Sequence, residues 1–243
     1  MNTLTLLMAL MLGLLTVPGE ENSSLAKENG YVINLDRAEK LEKMTYSSLF
    51  SKAGIIVLED TDESLLGKVD KLEVCDNNLY VLEKGRGLFL FNKQGKFIKM
   101  IGRQGKGPGE YIDPDDISID RENKKIYVLD SQTQNVLKYS GNGTFESSFK
   151  LENKGTRSTF IQPFKNALYT NLYTFDKSGK RFLLSKVDVT NGKRISFQFE
   201  ASQYNKGWNE LFSTNQHTFI SGPTGNPKFM QIFMDTIFEI TPK

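Results

Sequence analysis

The sequence predicts an all-β protein, a β-propeller made of four-stranded sheets (blades), and three observations support this prediction. Past residue 30 the chain consists mostly of short alternating segments separated by turn residues, as is typical of antiparallel strands. Helical patterns are scarce, and the best candidates are residues 36–44 and 47–50. A strand-and-turn plan recurs at a spacing of 47 or 48 residues, which is the length of one propeller blade.

The repeat is clearest in two stretches of about 25 residues. "LYVLEKGRGLFLFNKQGKFIKMIG" begins at Leu79, and "IYVLDSQTQNVLKYSGNGTFESSFKL" begins at Ile126. Each contains a strand that ends in an acidic residue, a polar turn, a second strand, a glycine turn and a last strand. A looser third copy begins at "ALYTNLYTFD".

About four blades are therefore expected, and the fourth is incomplete. The predicted strands of the first blade are 68–76, 79–83, 88–92 and 97–102. Those of the second are 115–120, 125–130, 136–140 and 145–151, and those of the third are 159–165, 167–173, 181–189 and 194–200. The fourth set spans about 212–240.

The N-terminus carries an uncharged apolar run of 14 residues, "LTLLMALMLGLLTV", at positions 4–17. A membrane-spanning helix needs about 20 apolar residues, so the run fits the core of a signal peptide better than a membrane span. We therefore expect residues 1–26 to be a signal peptide or a disordered N-terminus and residues 27–243 to form a partial β-propeller domain. The mature protein is expected to be exported to the periplasm, cell envelope or extracellular space, without an integral membrane span.

Composition excludes several classes of function. The 31 basic and 29 acidic residues leave a net charge of +2, too small for the basic surface that nucleic-acid binding requires. Cys75 is the single cysteine and His217 the single histidine, so cysteine clusters and multi-histidine zinc sites are excluded. No G-x-S-x-G nucleophile motif occurs. The sequence therefore predicts no catalytic residues, no cofactor and no metal ligands.

"GRQGKGPGEY", residues 102–111, is the most unusual stretch of the chain. A phosphate-binding P-loop needs Lys and Ser or Thr after its last glycine, but Pro108 and Gly109 occupy those places. The stretch joins the outermost strand of one predicted blade to the innermost strand of the next. Glycine and proline suit this sharp crossing, because glycine reaches positive φ and proline fixes φ. A ligand-binding role for the loop remains an alternative.

Strand parity sorts the loops onto two faces of the predicted propeller. The loops 103–114 and 131–135 share one face, and "DRENKK" and "SGNG" lie on the other. The first face should surround the mouth of the central channel. The candidate ligand-binding residues on it are Arg103, Lys106, Glu110, Tyr111 and Asp130.

Other chemical candidates have simpler explanations. "DPDDISID" clusters four aspartates but lacks the frame of a calcium-binding loop, so turn and strand-start roles are favoured over metal binding. Tyr204 and Trp208 either form a stacking surface for a sugar or peptide or cover a loop against the core. His217 is expected to be an ordinary strand or loop residue, and Cys75 a small core residue.

"IGRQGKGPGEYIDPDDISID" with the strands that follow resembles the six-bladed β-propeller proteins of Bacteroides-type bacteria, which have NHL-like repeats. "IIVLEDTDESLLGKVDKLEVCDNNLYVLE" and "DTIFEITP" are similar to the same family. The resemblance implies a cell-envelope or exported propeller without an established enzymatic activity. The chain lacks the lipoprotein cysteine that is frequent in the family.

The number of blades differs from that family's. The 176 residues from 68 to 243, divided by a period near 47, make about 3.7 blades, too few for a ring of six. In such rings an N-terminal strand, here "IIVLED" at 55–60, completes the last blade. A truncated form of the family is favoured over a partial arc and over completion by a partner chain.

Two classes of function remain. The first is an exported, non-catalytic binding or scaffold protein for a peptide, glycan or partner protein. The second is a divalent-metal-dependent hydrolase or lyase, similar to a lactonase, with its ion in the channel.

Overall fold

The computed structural model describes residues 43–52, 54–153, 155–174, 180–204, 218–221, 225–231 and 236–242. The predicted signal segment, most of the predicted helix 36–44, Trp208 and His217 lie outside these residues. The described residues contain two short helices, α1 (Tyr46–Leu49) and α2 (Ala201–Tyr204). Among the described residues no helix has the length and apolar content needed to cross a membrane.

The strands form antiparallel sheets in sequence order, as the repeat predicts. Sheet 1 contains β1 (Lys71–Cys75), β2 (Asn78–Glu83), β3 (Gly87–Asn92) and β4 (Phe97–Ile101). Sheet 2 contains β5 (Pro114–Asp120), β6 (Lys125–Asp130), β7 (Asn135–Ser140) and β8 (Phe145–Lys150). A short ribbon pairs β9 (Thr156–Arg157) with β12 (Tyr173–Thr174).

The second half of the chain repeats the arrangement with less regular strands. Sheet 3 contains β10 (Ile161–Phe164), β11 (Ala167–Asn171), β13 (Phe182–Asp188) and β14 (Arg194–Glu200). Sheet 4 contains β15 (Phe219–Ile220), β16 (Lys228–Phe229) and β17 (Phe238–Glu239).

The sheets stack face to face, and their second and third strands form the core. β2 and β3 are buried on both faces, whereas in β1 exposed residues alternate with partly or fully buried ones. One apolar cluster joins sheets 1 and 2 and includes Leu82, Leu88, Ile117 and Val128. Similar clusters join sheet 2 to sheet 3 and sheet 3 to sheet 4. Because neighbouring sheets cover them, the central strands do not alternate between buried and exposed residues.

The first strands of sheets 1, 2 and 3 meet at the centre of this arrangement. The Asp116 side chain, which is fully buried, accepts a hydrogen bond from Lys71 Nζ at 2.8 Å and another from the Ile161 backbone N–H at 2.8 Å. One carboxylate of β5 thus connects β1 and β10. This arrangement of four antiparallel sheets is that of β-propeller blades, which confirms the predicted fold class. A ring of six blades and NHL-type repeats remain predictions.

The predicted strands of sheets 1 to 3 agree with the observed ones to within a few residues. The expectation of an extra strand at 55–60 is wrong for the described structure, because these residues are not part of a strand. They lie instead against the turn between β3 and β4, where Glu59 N–H donates to Gly95 O at 2.8 Å. The ribbon of β9 and β12 was not predicted from the sequence.

Candidate site on the glycine-loop face

The glycine loop, residues 102–113, connects the outer strand β4 to the inner strand β5, as predicted. One carboxylate attaches it to the turn 131–134. The side chain of Asp130, at the end of β6, accepts hydrogen bonds from Ile112 N–H at 2.8 Å and Thr133 N–H at 3.1 Å. The two loops therefore share one face. We call this the glycine-loop face; it also includes the turn 84–86 and, from the connection between sheets 2 and 3, the described residues 151–153 and 155–160.

A polar residue at or near the end of the second strand has the same role in three sheets. Glu83 accepts a hydrogen bond from Gly67 N–H at 3.4 Å, Asp130 from Ile112 N–H at 2.8 Å and Asn171 from Phe160 N–H at 2.8 Å. Each donor lies in the segment that enters the first strand of the same sheet. The polar side chains that end the repeated strands therefore position the entering segments.

Close packing requires glycine at two positions of the loop. Gly102 has φ of 68°, and a Cβ there would lie 2.6 Å from both Cε1 of Tyr111 and the hydroxyl oxygen of Tyr139. Gly109 has φ of 75°, and a Cβ there would lie 2.9 Å from Cγ of Phe145. L-residues avoid positive φ, so glycine serves both the backbone turn and the close approach.

The anion held by this loop is its own Glu110 carboxylate. It accepts hydrogen bonds from Gly107 N–H at 2.8 Å and from Arg103 Nε at 2.6 Å. A Cβ at Gly105 would overlap the same carboxylate. The Gly107 N–H bond and the Arg103 guanidinium hold the pKa of Glu110 below its ordinary value, because both favour the charged form. The glycines thus allow the backbone to fold around an internal acid.

Tyr111 fastens the loop to the core. Its ring is 1% exposed, its hydroxyl donates to Ile101 O at 3.0 Å, and it accepts from Leu88 N–H at 3.2 Å. Burial raises the pKa of this phenol. Tyr111 therefore contacts the body of sheet 1 and offers almost no surface to a ligand.

The five predicted residues occupy two layers. Arg103, Lys106 and Glu110 lie together in the glycine loop, with Arg103 and Lys106 exposed. Tyr111 and Asp130 are buried beneath them. The upper layer can contact a ligand directly, and the lower layer can only support it.

A second polar group on this face was not among the predicted residues. Lys84 Nζ lies 3.5 Å from a carboxylate oxygen of Asp115, the Ser131 hydroxyl donates to the same carboxylate, and Arg157 Nη2 lies 3.4 Å from Ser131 Oγ. Burial is the main cause that raises the pKa of Asp115. Lys84 and Ser131 each follow the acidic residue that ends the second strand. Aligning the repeats could therefore have identified these two positions.

The remaining candidates have structural contacts or no described position. Tyr204 packs edge-on against Phe199 and Phe238, at centroid distances of 5.7 and 5.8 Å. Asp120 accepts a hydrogen bond from Asn123 N–H at 3.0 Å within a turn. In the part of the chain that the structure describes, no group of three or more His, Cys, Asp or Glu side chains is placed to share a metal ion.

Comparison with solved structures supports this fold. One of them is a Bacteroides fragilis protein that is proposed to be exported. It is 22% identical to this chain, with a TM-score of 0.60, and the match covers 76% of this chain and 51% of that protein. The chain thus spans about half the length of that protein, and the similarity shows the fold alone. A glutaminyl cyclase from Myxococcus xanthus is 12% identical, covers 69% of both chains and has a TM-score of 0.44, too low to support an inference.

Sequence comparison gives the family directly. None of the curated protein sequences matches the chain. The model of the family DUF4934, a domain of unknown function, matches residues 30–243, and the chain therefore belongs to the DUF4934 family.

Proposed function

We propose that the protein is an exported, non-catalytic β-propeller that binds an anionic group of a peptide, glycan or partner protein on its glycine-loop face. The observation that carries the proposal is that two exposed cations, Arg103 and Lys106, lie on a loop held by the buried hydrogen bonds of Tyr111. A loop that is already ordered loses little conformational entropy on binding, so its contacts contribute more to affinity.

The charges of the loop suit an anionic ligand. The Arg103 side chain is 81% exposed, and its described hydrogen bond to Glu110 uses Nε. The two terminal amino groups of a guanidinium can form paired hydrogen bonds with a carboxylate or phosphate oxygen pair. Lys106 adds a second exposed positive charge three residues later. Lys84 and Arg157 contribute further positive charge on the same face, although both are partly compensated by Asp115.

Two lines of support favour export. The apolar run at 4–17 has the length of a signal-peptide core. The Bacteroides fragilis protein of the same fold is itself proposed to be exported. Fractionation of cells that produce the full chain would test this directly, since a cytoplasmic protein of unprocessed mass would contradict export.

Binding is tested with a charge-reversal pair. The double variant Arg103→Glu and Lys106→Glu is compared with wild type on an array of acidic peptides and on a glycan array. The control is the double variant Lys93→Glu and Lys193→Glu, which makes the same charge change at exposed lysines on the opposite face. We expect wild type and control to bind the same probes and the loop variant to lose them. Equal binding by all three proteins, or no binding by wild type, would overturn the proposal.

The metal-dependent alternative makes a different prediction. A site that binds calcium, manganese or zinc in the folded protein alone would stabilise the fold by mass action. The binding proposal predicts that the melting temperature stays the same when each ion is added and when EDTA follows. A rise of several degrees that EDTA reverses would favour the hydrolase or lyase instead.

A further inference from the structure

The glycine loop contains a slot that holds a carboxylate, and its occupant is Glu110 of the same loop. One oxygen of this carboxylate, Oε2, accepts a hydrogen bond from Gly107 N–H at 2.8 Å. The other, Oε1, accepts one from Arg103 Nε at 2.6 Å. Each oxygen therefore has its own donor, and hydrogen bonds to a charged acceptor are stronger than those between neutral groups. We call this pair of donors the carboxylate slot.

The main chain at two glycines forms the walls of the slot. A Cβ at Gly105 would overlap Oε2 of Glu110 and would lie 2.6 Å from its Cδ. A Cβ at Gly107 would lie 3.0 Å from Oε2 and 3.3 Å from Cδ. Because the backbone lies this close to the carboxylate, the slot has little depth. A flat group with two oxygens therefore fits it better than a tetrahedral group such as phosphate.

The slot keeps its shape without the side chain of Glu110, because backbone hydrogen bonds close the loop. Tyr111 N–H donates to Arg103 O at 3.1 Å, and Gly105 N–H donates to Tyr111 O at 3.0 Å. Glu110 N–H donates to Gly107 O at 3.1 Å. The buried ring and hydroxyl of Tyr111 then attach the loop to sheet 1. Binding to donors that are already in position costs little conformational entropy.

The slot is open to solvent on its charged side. The Arg103 side chain is 81% exposed and that of Glu110 is 18% exposed. Lys106 and Pro108, which flank the slot in the sequence, are exposed as well. Rotation about the side-chain bonds of Glu110 moves its carboxylate into solvent while the backbone stays in place. A second carboxylate can then reach the same two donors.

We propose that the carboxylate slot is the ligand site of the glycine-loop face, and that a ligand carboxylate binds there by displacing Glu110. This inference rests on the proposed function and specifies its ligand, which presents an Asp or Glu side chain or a C-terminal carboxylate. Glu110 is then an internal competitor. Because a tethered competitor has a high local concentration, a ligand needs further contacts on the face to displace it.

Acetate is the probe, and the backbone amide of Gly107, followed by NMR, is the reporter. Removing the tethered competitor in Glu110→Ala should lower the apparent dissociation constant for acetate by roughly tenfold or more relative to wild type. Glu110→Gln, which keeps the side-chain length and removes the charge, should also lower it. Adding Arg103→Met to Glu110→Ala should abolish binding. The matched control Glu122→Ala removes a glutamate that pairs with Lys165 on the opposite face, and it should behave as wild type.

The amides of sheets 1 and 2 in the same spectra show that each variant is folded. Inorganic phosphate is the second probe, and Glu110→Ala should bind it more weakly than acetate. The same dissociation constant for acetate in wild type, Glu110→Ala and Glu110→Gln would overturn the inference. Acetate binding that survives Arg103→Met, or tighter binding of phosphate than of acetate, would also overturn it.

The arrays of acidic peptides and glycans separate this inference from the proposed function. Glu110→Ala should bind the probes of wild type more tightly. If wild type binds acidic probes and Glu110→Ala binds them no better, displacement of Glu110 is wrong while anion binding by the face stands. If wild type binds none, the proposed function is wrong, and the acetate titration still decides whether the slot accepts an external carboxylate.

Discussion

Tyr111 shows how a single side chain can fix a loop rich in glycine and charge. Its ring fills the space that a Cβ at Gly102 would need, and its hydroxyl connects the strands β3 and β4 through Leu88 N–H and Ile101 O. The exposed cations of the loop are thus held by a residue that no ligand can reach.

Replacing Tyr111 by Phe should lower the free energy of unfolding by about 1–3 kcal/mol, because a buried donor and acceptor lose their partner. Urea denaturation measures this change. Tyr139→Phe is the comparison, since its hydroxyl makes one described hydrogen bond, to Gly109 O at 3.0 Å. We expect a smaller loss there, and a Tyr111→Phe protein as stable as wild type would contradict the role given to this hydroxyl.

Because of Glu110, the stability of the folded protein should depend on pH. Its pKa is lower in the folded protein than in the unfolded chain, mainly through the Gly107 N–H bond and then through Arg103. Its contribution to stability is therefore complete above the unfolded pKa of about 4.3 and is lost as the pH falls through the lower folded pKa. The stability difference between wild type and Glu110→Gln should shrink in that acidic range.

A carbon NMR titration of the Glu110 carboxyl measures the shift itself. The pKa should lie below that of an ordinary glutamate in wild type. It should rise part of the way back in Arg103→Met, where the Gly107 N–H bond remains. Titration of wild-type Glu110 at or above the ordinary value would show that the loop does not bind this carboxylate.

At the scale of the elements, the glycine loop is a connection with strict steric limits. Gly102 and Gly85 both have positive φ, 68° and 82°, but their surroundings differ. A Cβ at Gly85 would meet nothing within 4 Å, whereas one at Gly102 would meet the ring of Tyr111 and the hydroxyl oxygen of Tyr139. Comparing substitutions at the two positions therefore distinguishes the cost of backbone strain from the cost of steric overlap.

Gly85→Ala should destabilise the fold by roughly 1–2 kcal/mol, the usual penalty of a left-handed conformation for an L-residue. Gly102→Ala should cost clearly more, because the methyl group must displace two buried tyrosines. Thermal and urea unfolding of both variants measure the difference. Equal decreases in the free energy of unfolding would mean that the close packing around Gly102 adds nothing to the cost of a methyl group there.

Much of the element order follows from local sequence, and the failures have identifiable causes. β2 and β6 are predictable because each is a short apolar run between turn residues, repeated 47 positions apart. The segment 55–60 has an equally strong strand pattern, but no partner strand lies beside it in the described structure. Strand propensity depends on a neighbour that a local pattern cannot supply.

The candidate site was predictable only in its outer layer. Arg103 and Lys106 are exposed charges in a turn sequence, and the structure places them on the surface. Tyr111 looks like a surface aromatic because its neighbours are glycines and charges, and its burial depends on sheet packing that no local pattern reveals. The Lys84 and Asp115 pair joins residues from two repeats, so only the stacking of sheets brings it together.

At the scale of the whole molecule, the arrangement depends on contacts between first strands of successive sheets. Asp116 is fully buried and connects β1, through Lys71, to β10, through Ile161. Removing one partner of a buried charged pair is costly, because the other charge loses its compensation. Asp116→Ala should therefore reduce the free energy of unfolding by about 3–5 kcal/mol.

The most direct test of radial stacking is hydrogen exchange at the Ile161 amide, followed by NMR in wild type and Asp116→Ala. This N–H donates to a carboxylate of the neighbouring sheet, at 2.8 Å, and so reports the junction between sheets 2 and 3. We expect strong protection in wild type. In the variant, protection should fall more at Ile161 than at amides within β6 and β7. Unprotected Ile161 in wild type, or equal loss at all these amides, would contradict the packing of first strands around a common centre.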